Sequence, residues 1–322
     1  MFSLSMRQLA AGSVLALGLS GAAYCQSSLV FPTPVSTLVT TAAAQSTGVS
    51  PVTFNGDVIW FFQGYNSGVC FQHDGSYDTC PAGLPLVDGV PQATVWNGTL
   101  YLAYALHGSH QLVIATTSDV HLQTWGYSEP AGLFVGVSPA IAVLNNKLFI
   151  AYQENQQDHY LGMASTFDGV NWTSQLSSVY KIGHAPGMTY FNGQLVIAAF
   201  CQCDSHYLDV YTSTGSLSPT FATEDRSKTL ANASNPSLAV YNNVLMLGYM
   251  QNGQRYFQTT TSYNAVTWTP AVRQTSLTNG WNGLGLAVVG STIYGVYESQ
   301  SAIPGQPSGS NQFAISTTSG VH

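Results

Sequence analysis

Few side chains in this sequence can carry acid–base chemistry. Three carboxylates, Glu154, Asp204 and Glu298, lie in polar stretches just beyond apolar segments. Hydrolysis of a glycosidic bond takes two carboxyl groups in opposed protonation states across one cleft, so these three are the candidate catalytic set. A second group is better suited to holding a ligand than to breaking one: His110, Asp158, His159, His184, His206, Arg255, Trp281 and Asn282. Planar hydrogen-bonding groups beside aromatic faces fit sugar hydroxyls and the apolar side of a sugar ring. No Ser-His-Asp order and no His-Glu-x-x-His motif appears.

Cysteine chemistry is the other possibility. Cys70, Cys80, Cys201 and Cys203 form an even set, and four cysteines allow three connectivities. The spacing favours Cys70 with Cys80, stapling a local hairpin. Cys201 and Cys203 then form a tight ring or stay reduced. A metal site from Cys201, Cys203, Asp204 and His206 has the right ligand types but not the paired spacing of zinc modules. No metal and no cofactor is expected.

What must position these groups follows from composition and repetition. Of 322 residues only 7% are charged, against about 25% in ordinary soluble proteins, while 45% are hydrophobic and 12% aromatic. Helical bundles need Glu, Lys and Ala on their exposed faces, so helical folds are excluded. Enough apolar mass is present to exclude disorder. A formal charge of −7 with seven Lys and Arg cannot build a phosphate-tracking surface, so nucleic acid is excluded as a partner.

Residues 1–25 read as a secretory leader. Arg7 precedes the apolar run Leu9–Leu19, which is broken only by Gly12, Ser13 and Gly18, and small residues Ser20–Ala23 follow. Acylation of Cys25 is disfavoured, because Tyr24 stands where a small residue belongs. No other stretch approaches the ~20 apolar residues that span a bilayer. The mature chain, residues 26–322, is expected to be secreted, or periplasmic in a bacterium.

Within it, four segments align: PQATVWNGTLYLAY from Pro91, PAIAVLNNKLFIAY from Pro139, PGMTYFNGQLVIAAF from Pro186 and PSLAVYNNVLMLGY from Pro236. Copies at Pro51 and Leu284 make six units, starting near residues 51, 91, 139, 186, 236 and 284. In each, alternating apolar residues flank a dipeptide such as Asn97-Gly98 or Asn145-Asn146, which tolerates the positive φ of a type I′ hairpin. A third strand and a fourth, beginning near Trp125, Trp172, Phe221 or Trp268, complete the unit. Four antiparallel strands repeated six times describe an all-β, six-bladed β-propeller. The last unit lacks a fourth strand, and residues 27–40 have strand composition without a partner. They are expected to close the ring as the outer strand of the sixth blade.

The segment Ser165 to Trp172, with Asp168 and Gly169 between, resembles the Asp-box turn of the sialidase-like propellers. Weaker echoes stand at Ser118-Asp119 to Trp125, Ser213 to Phe221 and Ser262 to Trp268. The resemblance covers residues 51–320. It implies that the Asp caps backbone N–H groups, the Gly takes the strained φ and the Trp packs between blades. Sialidase activity in that family needs three converging arginines, a Tyr nucleophile paired with Glu and an Asp acid/base. Only Arg226, Arg255 and Arg273 follow the leader, none on an innermost strand, so sialidase chemistry is disfavoured.

In such a ring, the loops from second to third strands and the connectors into each blade share one face. That face gathers the candidate side chains, with His110, His159, His206, Arg255 and Asn311 at equivalent positions at the start of successive third strands. Such recurrence marks either a ligand pocket per blade or a repeated structural hydrogen bond. Three readings follow: a secreted lectin for extracellular glycans, a glycoside hydrolase or lyase acting at the central funnel, and a protein-binding scaffold. Sequons at Asn97, Asn171 and Asn232 would accept glycans in a eukaryotic source.

Overall fold

The computed structural model describes residues 28–32, 36–40, 48–73, 78–156, 158–202, 207–229, 235–251, 256–277, 283–299 and 311–319. Among them there is no helix, and the strands form a six-bladed propeller. Strand β1 (Ser36–Thr40) precedes the first blade, which holds β2 (Ser50–Phe54), β3 (Asp57–Gln63) and β4 (Val69–His73). Blade 2 is β5 (Val87–Trp96), β6 (Thr99–Leu106), β7 (Leu112–Thr117) and β8 (Gly126–Ser128). Blade 3 is β9 (Ala140–Leu144), β10 (Lys147–Gln153), β11 (Tyr160–Thr166) and β12 (Thr173–Lys181). Blade 4 follows with β13 (Gly187–Phe191), β14 (Gln194–Phe200), β15 (Tyr207–Ser213) and β16 (Thr220–Thr229). Blade 5 is β17 (Ser237–Tyr241), β18 (Val244–Met250), β19 (Phe257–Ser262) and β20 (Val272–Arg273), and blade 6 is β21 (Gly285–Val289), β22 (Thr292–Ser299) and β23 (Asn311–Thr318).

The first hairpin of every blade turns on residues with positive φ. Asn97 and Gly98 have φ of 51° and 76°, Asn145 and Asn146 of 50° and 55°, and Asn192 and Gly193 of 48° and 81°. Asn and Gly carry that conformation at little cost, which is why the sequence repeats them.

Blade 1 departs from four strands. Its sheet has three, and the outer position is a single bridge in which Phe71 and Thr79 exchange both backbone hydrogen bonds. The expected Cys70–Cys80 disulfide is present beside that bridge and holds the edge where a ladder is missing. Blade 5 is also short outside: Trp268 makes only a bridge to Ser262, and β20 spans two residues.

Each sheet is apolar on both faces, and a separate hydrophobic cluster fills each of the six seams. The Trp at each turn joins a seam, as expected. Trp125 packs edge-on against Phe61 of blade 1, Trp172 lies in the seam of blades 2 and 3, and Trp268 in that of blades 4 and 5.

Turns from third to fourth strands cap themselves. The Asp168 carboxylate accepts the N–H groups of Val170 (2.9 Å) and Asn171 (2.8 Å), while Thr166 Oγ1 accepts those of Asp168 and Gly169. Asp119 receives His121, Gln123 and Thr124, and the uncharged Asn264 receives Val266 and Thr267. The hydrogen bonds from Asn171 hold the Asp168 carboxyl far below its ordinary range.

Ring closure is as expected. β1 pairs antiparallel with β23, from Ser36 opposite Ile315 to Thr40 opposite Asn311. Ahead of it, Leu29 and Phe31 are fully buried in the seam of blades 5 and 6. Gln274, itself buried, secures them: its Oε1 accepts Phe31 N–H at 2.8 Å and its Nε2 donates to the Leu29 carbonyl at 2.9 Å.

Two predictions follow from these contacts. Gln274→Ala leaves buried backbone groups unmet and is expected to lower stability by on the order of 3 kcal/mol in urea unfolding, with no change in m-value. A midpoint equal to wild type would show that residues 28–32 do not hold the seam. Asp168→Asn should cost stability at neutral pH. Because the folded carboxyl titrates lower than the unfolded one, the gap in melting temperature should persist above about pH 4 and shrink as pH falls further. A gap independent of pH would refute the capping role.

Candidate functional site

The first strand of each blade starts on one face of the ring, and the six starts wall a central cavity of about 120 Å³. Backbones meet closely there: a Cβ on Gly187 would lie 2.3 Å from the carbonyl oxygen of Pro236. None of the residues lining the cavity is ionisable, Gln92 and Asn235 being the largest polar ones. Glu154 is not among the residues lining that cavity. Glu298 lies on β22 in register with Phe313. Asp204, His206, Arg255, Trp281, Asn282, Cys203 and Asn232 lie outside the described residues, as does the leader. Cys201 is disulfide-bonded.

On the same face, connectors run along the next blade. Val135 bridges Glu154, and Ile182 bridges Cys201, just as Val87 pairs with Leu106 at the start of blade 2. Gln153, buried at the end of β10, donates from Nε2 to the Ile182 carbonyl at 2.7 Å. Gln63, at the same place in blade 1, donates to Val87 at 2.7 Å.

His110 and His159 occupy equivalent corners, with φ of 59° and 53°. Their carbonyls accept the N–H groups of Val135 (2.8 Å) and Ile182 (3.0 Å). The recurrence seen in the sequence thus marks a left-handed corner whose backbone ties down the following connector. The rings do not share in this, and the Nδ1 atoms of both are buried without a partner.

Asp158 is an exposed member of an ion pair, 2.5 Å from Lys181 Nζ. That hydrogen bond raises the Lys181 pKa. Lys181 Nζ lies 4.9 Å from the centre of the Tyr160 ring, and Arg273 lies 3.9 Å over Tyr256. Tyr160 and Tyr256 hold equivalent positions in blades 3 and 5, each meeting a cation from its own outer strand. Arg273 is thereby stacked at the rim rather than in the funnel. The His184 ring packs 4.8 Å from that of Phe200.

One pair had no sequence signal. Asp88 Oδ1 is 2.5 Å from His107 Nδ1, and Asp88 Oδ2 accepts the Gly108 N–H at 3.0 Å. Burial pushes the Asp88 carboxyl up, but His107 and the Gly108 N–H outweigh it and hold it below its ordinary value.

Glu154 stands apart from all of these. It is only 7% exposed, and no described residue donates a hydrogen bond to its carboxylate. Tyr152, two residues earlier, lies in the seam of blades 2 and 3. Its hydroxyl is pushed up to about 12 by burial and then by the charge of Glu154.

The architecture defines a six-bladed β-propeller with unpaired polar groups on its loop-bearing face. Neither a family model nor a curated protein sequence matches the chain. Among solved structures, a variant of the Aleuria aurantia lectin in complex with α-methyl-L-fucoside is similar, with a TM-score of 0.62 at 12% identity over 85% of this chain and 96% of that one. A Trypanosoma rangeli sialidase in complex with 2,3-difluorosialic acid is similar with a TM-score of 0.56 at 13% identity, over 89% of this chain and 58% of that one. Identities this low show a shared fold.

Replacing Gln153 by Ala should cost about 1–3 kcal/mol, because the Ile182 carbonyl loses a buried donor. Urea midpoints measure it, and an unchanged midpoint would mean that the connector is held by its backbone alone.

Proposed function

We propose that the protein is an exported glycan-binding propeller, lectin-like in action, using the face that carries the starts of its third strands. The observation that carries this reading is the repeated Tyr and cation pair. Tyr160 with Lys181 and Tyr256 with Arg273 each place a cationic hydrogen-bond donor over one face of an aromatic ring. A sugar offers the complement, a hydroxyl edge and an apolar face. Tyr207, opposite Thr229 in blade 4, holds the equivalent position there. Repeated weak sites on a rigid ring bind multivalent glycans through avidity. The disulfides at Cys70, Cys80 and Cys201 suit an oxidising compartment outside the cytosol.

The structural neighbours include a lectin with a bound fucoside and a sialidase, and both kinds of activity are compatible with the fold. A hydrolase reading is favoured by one feature, the buried carboxylate of Glu154, with Asp204 or Glu298 as its candidate partner.

A glycan array on the mature chain tests the proposal. Binding to at least one glycan class is expected, falling tenfold or more in Tyr160→Ala and Tyr256→Ala while the melting temperature holds. Absence of binding to every glycan would overturn it. Release of reducing sugar from a bound glycan would establish the hydrolase reading instead.

A further inference from the structure

We propose that Glu154 anchors a ligand subsite at the seam of blades 2 and 3, and that the group it receives is the protonated amine of an amino sugar. The inference rests on the glycan reading above and narrows it to one chemical class. Its starting point is an unmet need. A carboxylate on a residue only 7% exposed loses hydration, which is costly unless hydrogen bonds or a cation offset it. Among the described residues Glu154 has neither: no donor reaches its side chain, and the two ion pairs are Asp88 with His107 and Asp158 with Lys181. Its backbone N–H is donated to the Tyr160 carbonyl at 2.9 Å, and the residue bridges Val135. The side chain has no such partner.

Geometry directs it to the seam. Successive side chains along extended backbone alternate, so Glu154 follows Tyr152, which is buried among Leu133, Val135 and Trp96. The carboxylate oxygens are not among the polar atoms sealed from solvent, so a partner can reach them. Two further unpaired groups flank the position along the backbone network. His110 is bonded through its carbonyl to Val135, and His159 immediately precedes Tyr160.

Charge selects the ligand. Charge-assisted hydrogen bonds are about twice as strong as neutral ones, so an ammonium satisfies this carboxylate better than a hydroxyl does. The nearby cation Lys181 is already held by Asp158, and Arg273 is stacked on Tyr256. A chain with net charge −7 repels acidic sugars and attracts cationic ones.

Calorimetric titration with a β-1,4-linked glucosamine tetramer and with its fully N-acetylated counterpart tests this on the wild type and on Glu154→Gln. The wild type should bind the free amine form about tenfold or more tightly, and Glu154→Gln should lose that preference. Should the variant fail to fold, a salt series on the wild type replaces it, in which the preference must shrink as ionic strength rises. Equal affinity for the two tetramers, a preference that survives in Glu154→Gln, or one insensitive to salt overturns the inference. If neither tetramer binds while the array reports another glycan, the inference falls and the glycan reading stands. An empty array removes both.

Discussion

Everything in this molecule depends on a circular constraint: a sheet that is apolar on both faces can be buried only if it has a neighbour on each side. Six such sheets satisfy one another in a ring, and none has a stable surface outside it. The seam of blades 5 and 6 adds a segment from the far end of the chain. There Leu29 and Phe31 enter as extra core, and Gln274 fastens their backbone. β1 then completes the sixth sheet. Because the clusters are six and separate, loosening one seam exposes the flanks of two blades at once.

The two faces solve their hydrogen bonding differently, and the difference separates scaffold from site. On the face of the third-to-fourth turns, side chains at Asp119, Asp168 and Asn264 satisfy local backbone N–H groups within five residues. On the other face, backbone satisfies backbone across blades, through the bridges at Val135 and Ile182. Gln63 and Gln153 reinforce those connectors, while other side chains of that face take no part in them. The imidazoles of His110 and His159 and the carboxylate of Glu154 are left as chemistry without an internal partner. Buried polar groups without partners are rare in folded proteins and mark candidate functional positions.

Fold and site were unequally legible in the sequence, for physical reasons. The hairpins were readable because positive φ is a local demand met by Asn and Gly, and six repeats of one local demand define a ring. Closure by the N-terminal strand followed from counting strands. The thin outer edge of blade 1 was not readable, since a missing strand leaves no pattern, although the disulfide that guards it was. At His110 and His159 the recurrence was visible, and of its two readings the structural hydrogen bond is present, made by the backbone of a left-handed corner rather than by the ring. Asp88 and Lys181 escaped notice because their partners lie 19 and 23 residues away, joined only by strand register. The starts of the first strands line the axis with backbone and small side chains, a feature that the repeat alone does not announce.

The pairing of β1 with β23 also orders events during biosynthesis. The ribosome makes one edge of the sixth blade first and its complement last, so no intermediate length of nascent chain can close the circle. Until then an unfinished polypeptide presents unpaired sheet margins that invite intermolecular strand exchange.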